Sequence, residues 1–449
     1  MDQANEQPVK KAGFTKKERN WILYDVANSA YVLLATALLS FYFDFLSPTE
    51  NLTPIWGSVN VIVTVIAVVL CPILGTYADF SKKRRLFMTF ALIGIISCAL
   101  LSVFSLLADF AIAGILFLIV YIAAEVGFSS ANVFYDSMLS DVTTDERIHK
   151  VSANGYAWGY IGSCIPFVFC LVLYILGSMV FPQLLGIAFT ACCLLTAAWW
   201  LVFTLPLYKS YQQIHFLPKP QKPVRETFKR LGSIFKDFAK NKKALIFLFA
   251  FFFYIDGVHT IIKMAMSIGK DLGFENFGTV QLVIALFVTQ IVAFPAAIVF
   301  GKLASKKVSC ETLLIVCIAA YAAIGFFAVF LRHQWQFWVM AVGVGLFQGG
   351  VQAMSRSYFT KIIPAEKSGE FFGIYDIFGK SAAIVGTGLI SILSSVFPLA
   401  QATWINVCLI PLPVLFSLGL ILFIVSMKLK PAEDSALARE QQNNHKKDA

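Results

Sequence analysis

The stretch FFFYIDGVHTIIKMAMSIG, residues 251–269, reads as an apolar helix that holds Asp256, His259 and Lys263 at i, i+3 and i+7. On an α-helix this spacing puts an acid, an imidazole and an amine near one face. A charge at the centre of an apolar membrane segment costs about 2.5–3.5 kcal/mol, so such residues face a partner or a cavity. The row therefore predicts a cavity wall that binds a polar solute or passes a proton. The structural alternative is that Asp256 holds His259 within its own helix while Lys263 reaches outward to water. Glu125 sits near the middle of another apolar run, and Asp25 and Asn28 lie one turn apart in a third. A carboxyl in a low-dielectric cavity can load and release a proton near neutrality; a neutral, hydrogen-bonded Glu125 and a simple helix cap at Asp25 are the structural alternatives. Gln348, Gln352 and Arg356 recur every four residues, and Asp376 and Lys380 form an i, i+4 pair that could neutralise itself.

These residues need elements to position them, and composition says which. The 449 residues are 58% hydrophobic, 15% aromatic and only 14% charged, against roughly a quarter charged in soluble domains. Mean hydropathy is +0.74. About 20 apolar residues cross the hydrocarbon as a helix. Twelve runs qualify: 20–46, 54–79, 85–107, 111–139, 151–177, 182–206, 244–268, 277–301, 309–331, 335–359, 371–396 and 402–427. The alternating ten-residue segments of a β-barrel are absent. The first span follows a polar, basic N-terminus and is too long for a signal peptide, so it reads as an uncleaved span.

Placing loops on alternate sides puts 31 of the 36 Lys and Arg on the side of both termini, two on the other side, and Lys263, Arg356 and Lys380 within spans. The positive-inside rule then predicts that both termini are cytoplasmic. It also accounts for the net charge of +10 without nucleic acid as a partner. The nine cysteines fall mostly inside spans and include no CxxC pair, which predicts packing residues, with no metal and no cofactor.

Residues 207–243 interrupt the rhythm and divide the chain into a six-span bundle (1–206), an amphipathic cytoplasmic linker, and a second six-span bundle with a short tail (244–449). In the linker, Phe228, Leu231, Ile234, Phe235 and Phe238 recur at helical spacing among lysines. The halves echo one another. SDVTTDER (140–147) matches TKIIPAEK (360–367), Gly159 matches Gly379, and GTYADFSKKRR (75–85) is echoed by GKLASKKVS (301–309), which lacks the aspartate. Matched halves are a signature of secondary transporters that bind solute between repeats.

GTYADFSKKRR resembles the loop motif of the major facilitator superfamily, carried here by Gly75, Asp79, Arg84 and Arg85. YDVANSAY (24–31), GF…VFYDSML (127–139), VSANGYAWGYIG (151–162), YIDGVHT (254–260) and GLFQGGVQAMSRSYFTKIIP…EFFGIYDIFGK (345–380) are similar to the autophagy-related vacuolar amino-acid effluxers and their bacterial relatives. Where members of that family often carry Gly-Pro, this chain has Gly386-Thr387. The resemblance implies an all-α membrane fold of twelve helices in two pseudo-symmetric halves. It also implies a cavity lined by spans 1, 4, 7 and 10. The expected solute or proton site is Asp25, Asn28, Glu125, Asp256, His259, Lys263, Gln348 and Gln352. The expected inner gate is Gly75, Asp79, Arg84, Arg85, Asp136, Arg356, Glu370 and Lys380, with ordinary helix-end charge balance as the alternative for Asp136, Arg356 and Glu370.

No HExxH, GxSxG or Walker A motif occurs, so neither an enzyme nor ATP-driven transport is expected. The expectation is a monomeric secondary transporter in the bilayer, of a bacterial cytoplasmic membrane rather than a vacuole. Its cavity of mixed charge suits a zwitterion such as an amino acid, with a proton as the coupling ion. A non-transporting sensor of the same fold and a multidrug exporter are the rivals.

Overall fold

The structure is a computed structural model. It describes residues 13–47, 52–107, 110, 112–271, 279–305, 308–397 and 405–429. Eight helices come before the linker: α1 (Lys16–Ala37), α2 (Leu39–Leu46), α3 (Leu52–Ala78), α4 (Lys83–Leu101), α5 (Ala113–Ser137), the short α6 (Leu139–Val142), α7 (Ile148–Ile175) and α8 (Leu185–Ser210). The linker carries α9 (Pro223–Lys240). Six follow: α10 (Lys242–Asp271), α11 (Thr279–Ala304), α12 (Cys310–Val329), α13 (Gln334–Ile362), α14 (Ser368–Val396) and α15 (Pro411–Lys428).

Eleven of these are long and apolar enough to cross a membrane, and twelve if α1 and α2, bent by 47° at Leu38, count as one span. The all-α architecture is as the apolar runs predict. In hydrocarbon a helix satisfies its own backbone; Pro72, Pro166 and Pro295, each of which removes one of those bonds, lie inside α3, α7 and α11. α1 starts on a capping box: Thr15 accepts from the Glu18 backbone N–H and Glu18 accepts from that of Thr15.

Helices α1–α8 share one core, which includes Trp21, Tyr42, Phe117, Phe134 and Trp200, and α10–α15 share another, which includes Phe247, Tyr254, Tyr321, Tyr358 and Phe416. The halves meet mainly where α3 packs on α14 and where α7 packs on α11 and α13. The end of the bundle at which α8 hands over to the linker is called the linker end below. The sequence boundary at 207 falls inside α8, whose last turn continues to Ser210. Past it the chain runs extended, then forms α9, which packs across the ends of α3 and α10. The side chains of Leu231, Ile234, Phe235 and Phe238 lie outside the described set.

Candidate functional site

Two polar clusters join the halves at the linker end. The first lies between α3 and α14. Asp79, just past α3, accepts the backbone N–H of Gly369 at 2.9 Å and that of Glu370 at 2.8 Å. These donors belong to the first turn of α14, which has no preceding turn of its own to accept them and where the helix dipole favours an anion, so an acid from one half caps a helix of the other. The caps require backbones in contact. A Cβ on Gly75 would stand 2.1 Å from the Gly369 carbonyl oxygen, and one on Gly369 would stand 2.4 Å from that of Gly75.

Lys83, fully buried, donates to Ser368 Oγ at 2.6 Å and lies 3.5 Å from Asp79 and 3.9 Å from Asp141. Burial pushes the Asp79 carboxyl up to about 6, against the opposing pull of Lys83 and the two backbone donors. Burial would also raise Asp141, but Lys83, His215 and Tyr211 outweigh it and hold that carboxyl below the ordinary range. The cation at this contact is Lys83. Arg84 instead donates to the Tyr208 carbonyl and stacks on the Tyr208 ring, and Arg85 is exposed. Asp79 and Lys83 stand on either side of the turn that joins α3 to α4, and their nearness in the sequence was the signal for this pair.

The second cluster centres on Arg356 of α13, which is 2% exposed. Its guanidinium reaches Asp25 of α1 at 3.3 Å, Asp136 of α5 at 3.0 Å, and both the hydroxyl and the carbonyl of Ser152 in α7 at 3.0 Å. Tyr135 donates to Asp25 at 2.6 Å. The rings of Tyr156, Trp21 and Tyr135 surround the guanidinium at 4.1, 4.6 and 5.5 Å. The planar, delocalised cation suits this box of aromatics and carboxylates. Asp25, expected with the solute site, is therefore gathered into the same contact as Asp136 and Arg356. His149 and Ser357 share a hydrogen bond of 2.8 Å, and Tyr160 donates to Gln352 at 3.0 Å, extending the seam toward mid-span.

Glu370 is held from below by Arg230 of the linker helix at 2.8 Å. Before it, the extended segment after α8 is fastened to the first half. Tyr211 and His215 donate to Asp141 at 2.5 and 2.9 Å, and the Leu217 N–H donates to the Asp79 carbonyl at 2.8 Å. Composition and charge revealed a linker but none of these partners.

Nearer mid-span the row in α10 divides. Asp256 is fully buried. Its Oδ1 accepts from the Gly386 N–H of α14 at 2.9 Å and from Thr260 at 3.3 Å, while its Oδ2 has no partner. A Cβ on Gly386 would stand 2.2 Å from Thr260 Oγ1, so glycine is what lets α14 approach. His259 bonds to the Gly379 backbone of α14. Lys263 is exposed, and together with Lys380 it acts electrostatically on Glu125 across the halves. Lys380 pairs with Asp376. Glu125 lies beside Tyr31, and Asn28 donates to Asn132 at 2.7 Å. Gln348 is buried, and its Oε1 has no partner. Among the described residues no group of three or more His, Cys, Asp or Glu is placed to hold a metal.

The arrangement joins the halves tightly at one end and places acids and amines from both halves near the middle. The sequence and the fold are similar to those of known proteins. The family model for vacuole effluxer Atg22-like proteins matches residues 139–434. The MFS-type transporter YxiO of Bacillus subtilis (strain 168) is 39% identical over 440 residues, covering 96% of this chain and 98% of its own. Autophagy-related protein 22 of Saccharomyces cerevisiae (strain ATCC 204508 / S288c) is 24% identical over 382 residues, covering 74% and 70%. Among solved structures, a bacterial homologue of the iron transporter ferroportin in its outward-facing state superposes with a TM-score of 0.69 at 12% identity, covering 92% of this chain and all of that one. The proton:xylose symporter XylE superposes with a TM-score of 0.68, also at 12% identity, covering 90% and 93%. The chain is a multi-pass membrane transporter of the major facilitator fold, not an enzyme, and it belongs to the Atg22-like effluxer family.

Proposed function

We propose that this secondary transporter carries amino acids, with a proton as the coupling ion, through a site between the halves near mid-span. The observation that carries the reading is the mixed charge there: Glu125 from the first half stands opposite Lys263 and Lys380 from the second, with the carboxyl of Asp256 nearby in α10. A zwitterion offers a carboxylate to the amines and an ammonium to the acids, whereas a large apolar cation would leave the amines uncompensated. Buried acceptors without donors, Asp256 Oδ2 and Gln348 Oε1, suit an ammonium or a proton. The resemblance to the amino-acid effluxers points the same way.

The loops rich in Lys and Arg make the linker end cytoplasmic and put both termini there. The full-length similarity to a bacterial relative favours a bacterial cytoplasmic membrane. With the linker end sealed by Asp79 and Arg356, this is the state closed to the cytoplasm. Transport then requires both clusters to part while the far ends of the halves come together.

The test is uptake of a labelled amino-acid mixture into proteoliposomes, with and without an imposed pH gradient, for wild type, Asp256→Asn and Glu125→Gln. The expected result is amino-acid flux that the gradient accelerates, with that acceleration lost in at least one variant. Binding of an amino acid with no flux in wild type would replace the transporter reading with a sensor. Flux of large organic cations alone would replace the substrate class.

A further inference from the structure

The linker carries apolar side chains that the transport reading leaves unused. Ile214, Phe216, Val224 and Phe228 are 55%, 49%, 61% and 58% exposed. They lie outside every span, in the polar part of the chain, so the lipid-facing surface of a span does not account for their exposure. Lys219, Lys222, Arg225 and Lys229 are interleaved with them and also exposed. Ile214 follows the last residue of α8 by only four positions, within about 14 Å of fully extended chain. This surface therefore starts at the membrane boundary. In α9 the opposite side is occupied: Thr227 is buried, and Arg230 holds Glu370 and lies over the Phe80 ring.

We propose that the exposed face of residues 214–229 docks on acidic phospholipids of the cytoplasmic leaflet, and that docking braces the closed linker end through Arg230. Charge decides the occupant. Four cations flank four apolar side chains, with Glu226, 3.8 Å from Lys229, as the acid among them. That is the composition of an interfacial segment, extended at first and helical from Pro223, that lies in the headgroup layer of an anionic membrane. The brace follows from geometry. Glu370, which Arg230 holds, supplies one of the two backbone donors that Asp79 accepts, so fixing α9 against the leaflet fixes the first turn of α14 beneath Asp79. The docking half needs no transport; the brace rests on the cytoplasmic-closure reading above.

All nine native cysteines are buried, so a spin label placed by Phe228→Cys reports from one site. The full chain would be reconstituted in phosphatidylcholine vesicles with or without phosphatidylglycerol. Exposure of the label to oxygen, which is enriched in lipid, is compared with exposure to a water-soluble nickel chelate. The expected result is a label in lipid on acidic vesicles. Reversing Lys219, Lys222, Arg225 and Lys229 to Glu should return it to water, at about fivefold or more per lost cation. A second label pair, at exposed Thr89 and Ser305, reads the width of the linker end. Acidic lipid should narrow that distribution, and Arg230→Ala should remove the response without moving the Phe228 label out of lipid. A label that stays in water on acidic vesicles overturns docking, and its capture by a soluble partner instead would have the same meaning. Immersion with an unchanged Thr89–Ser305 distribution overturns the brace. Neither result bears on whether amino acids are carried.

Discussion

At the scale of single residues, the contact between the halves rests on how completely Arg356 is used. Its guanidinium meets two carboxylates, a hydroxyl, a carbonyl and three aromatic rings while 2% exposed. Removing one partner of a buried charge group costs about 3–5 kcal/mol, because the others stay buried and unpaired. Arg356→Ala should therefore shift the protein away from the closed linker end, read as a broadened Thr89–Ser305 distance distribution. Arg356→Lys should fail to restore it, since an ammonium cannot fork between Asp25 and Asp136. Equal closure in wild type and Arg356→Lys would show that any cation suffices. Gly155 belongs to the same site. A Cβ there would stand 2.2 Å from Asp25 Oδ2, so Gly155→Ala should weaken closure in the same direction.

At the scale of elements, two glycines set how near the halves can come. Gly75 puts α3 in backbone contact with α14, and its counterpart in the second half, Gly301, puts α11 against α7, where a Cβ would stand 2.6 Å from that of Ala153. The repeat is thus a repeat of contacts, yet one of the two is capped by Asp79 while the equivalent position, Ser305, is exposed. Gly75→Val should separate α3 from α14. Disulfide cross-linking between cysteines placed across that seam should slow at least about tenfold, and transport should fall with it, because a clash at the Gly369 carbonyl finds rigid backbone rather than a flexible side chain. An unchanged cross-linking rate would mean that α14 can retreat without opening the seam.

At the scale of the whole molecule, the charge buried on closure makes closure depend on pH. Burial raises the Asp79 carboxyl to about 6 in the closed state, and on opening it returns toward the ordinary value of about 4. The closed state thus binds the proton more tightly. Its contribution is fully present below about pH 4 and is lost as pH rises through about 6. Acidifying the linker side from pH 7 to 5 should raise the closed-to-open ratio by roughly tenfold, and Asp79→Asn should flatten that response. Burial is the largest cause of the rise, Lys83 and the two backbone donors of α14 oppose it, and the Glu370 charge adds to it. A wild-type response that survives in Asp79→Asn would assign it to another group. The same proton would not drive flux by itself, since Asp79 lies at the sealed end and not at mid-span.

The sequence by itself determined the class of molecule. Apolar runs long enough to span a bilayer can only be helices there, and the alternation of basic loops orders them into two halves about a linker. It also marked nearly every charged residue that matters, because a charge in an apolar run stands out. It did not determine who partners whom. The face shared by Asp256, His259 and Lys263 follows from helical periodicity. That α14 brings the Gly386 N–H to Asp256, while Lys263 is exposed and acts on Glu125, depends on neighbours more than a hundred residues away. Likewise the motif GTYADFSKKRR offers four cations in a row, and only the way α4 leaves its turn buries Lys83 while Arg84 stacks on Tyr208. Asp25 stood with the expected solute site, and the structure brings Arg356 to it from the other half; Arg230 carried no reading of its own, and the structure brings it to Glu370. Local pattern encodes which residues cannot rest in lipid; only the packing of the two halves decides what each of them rests against.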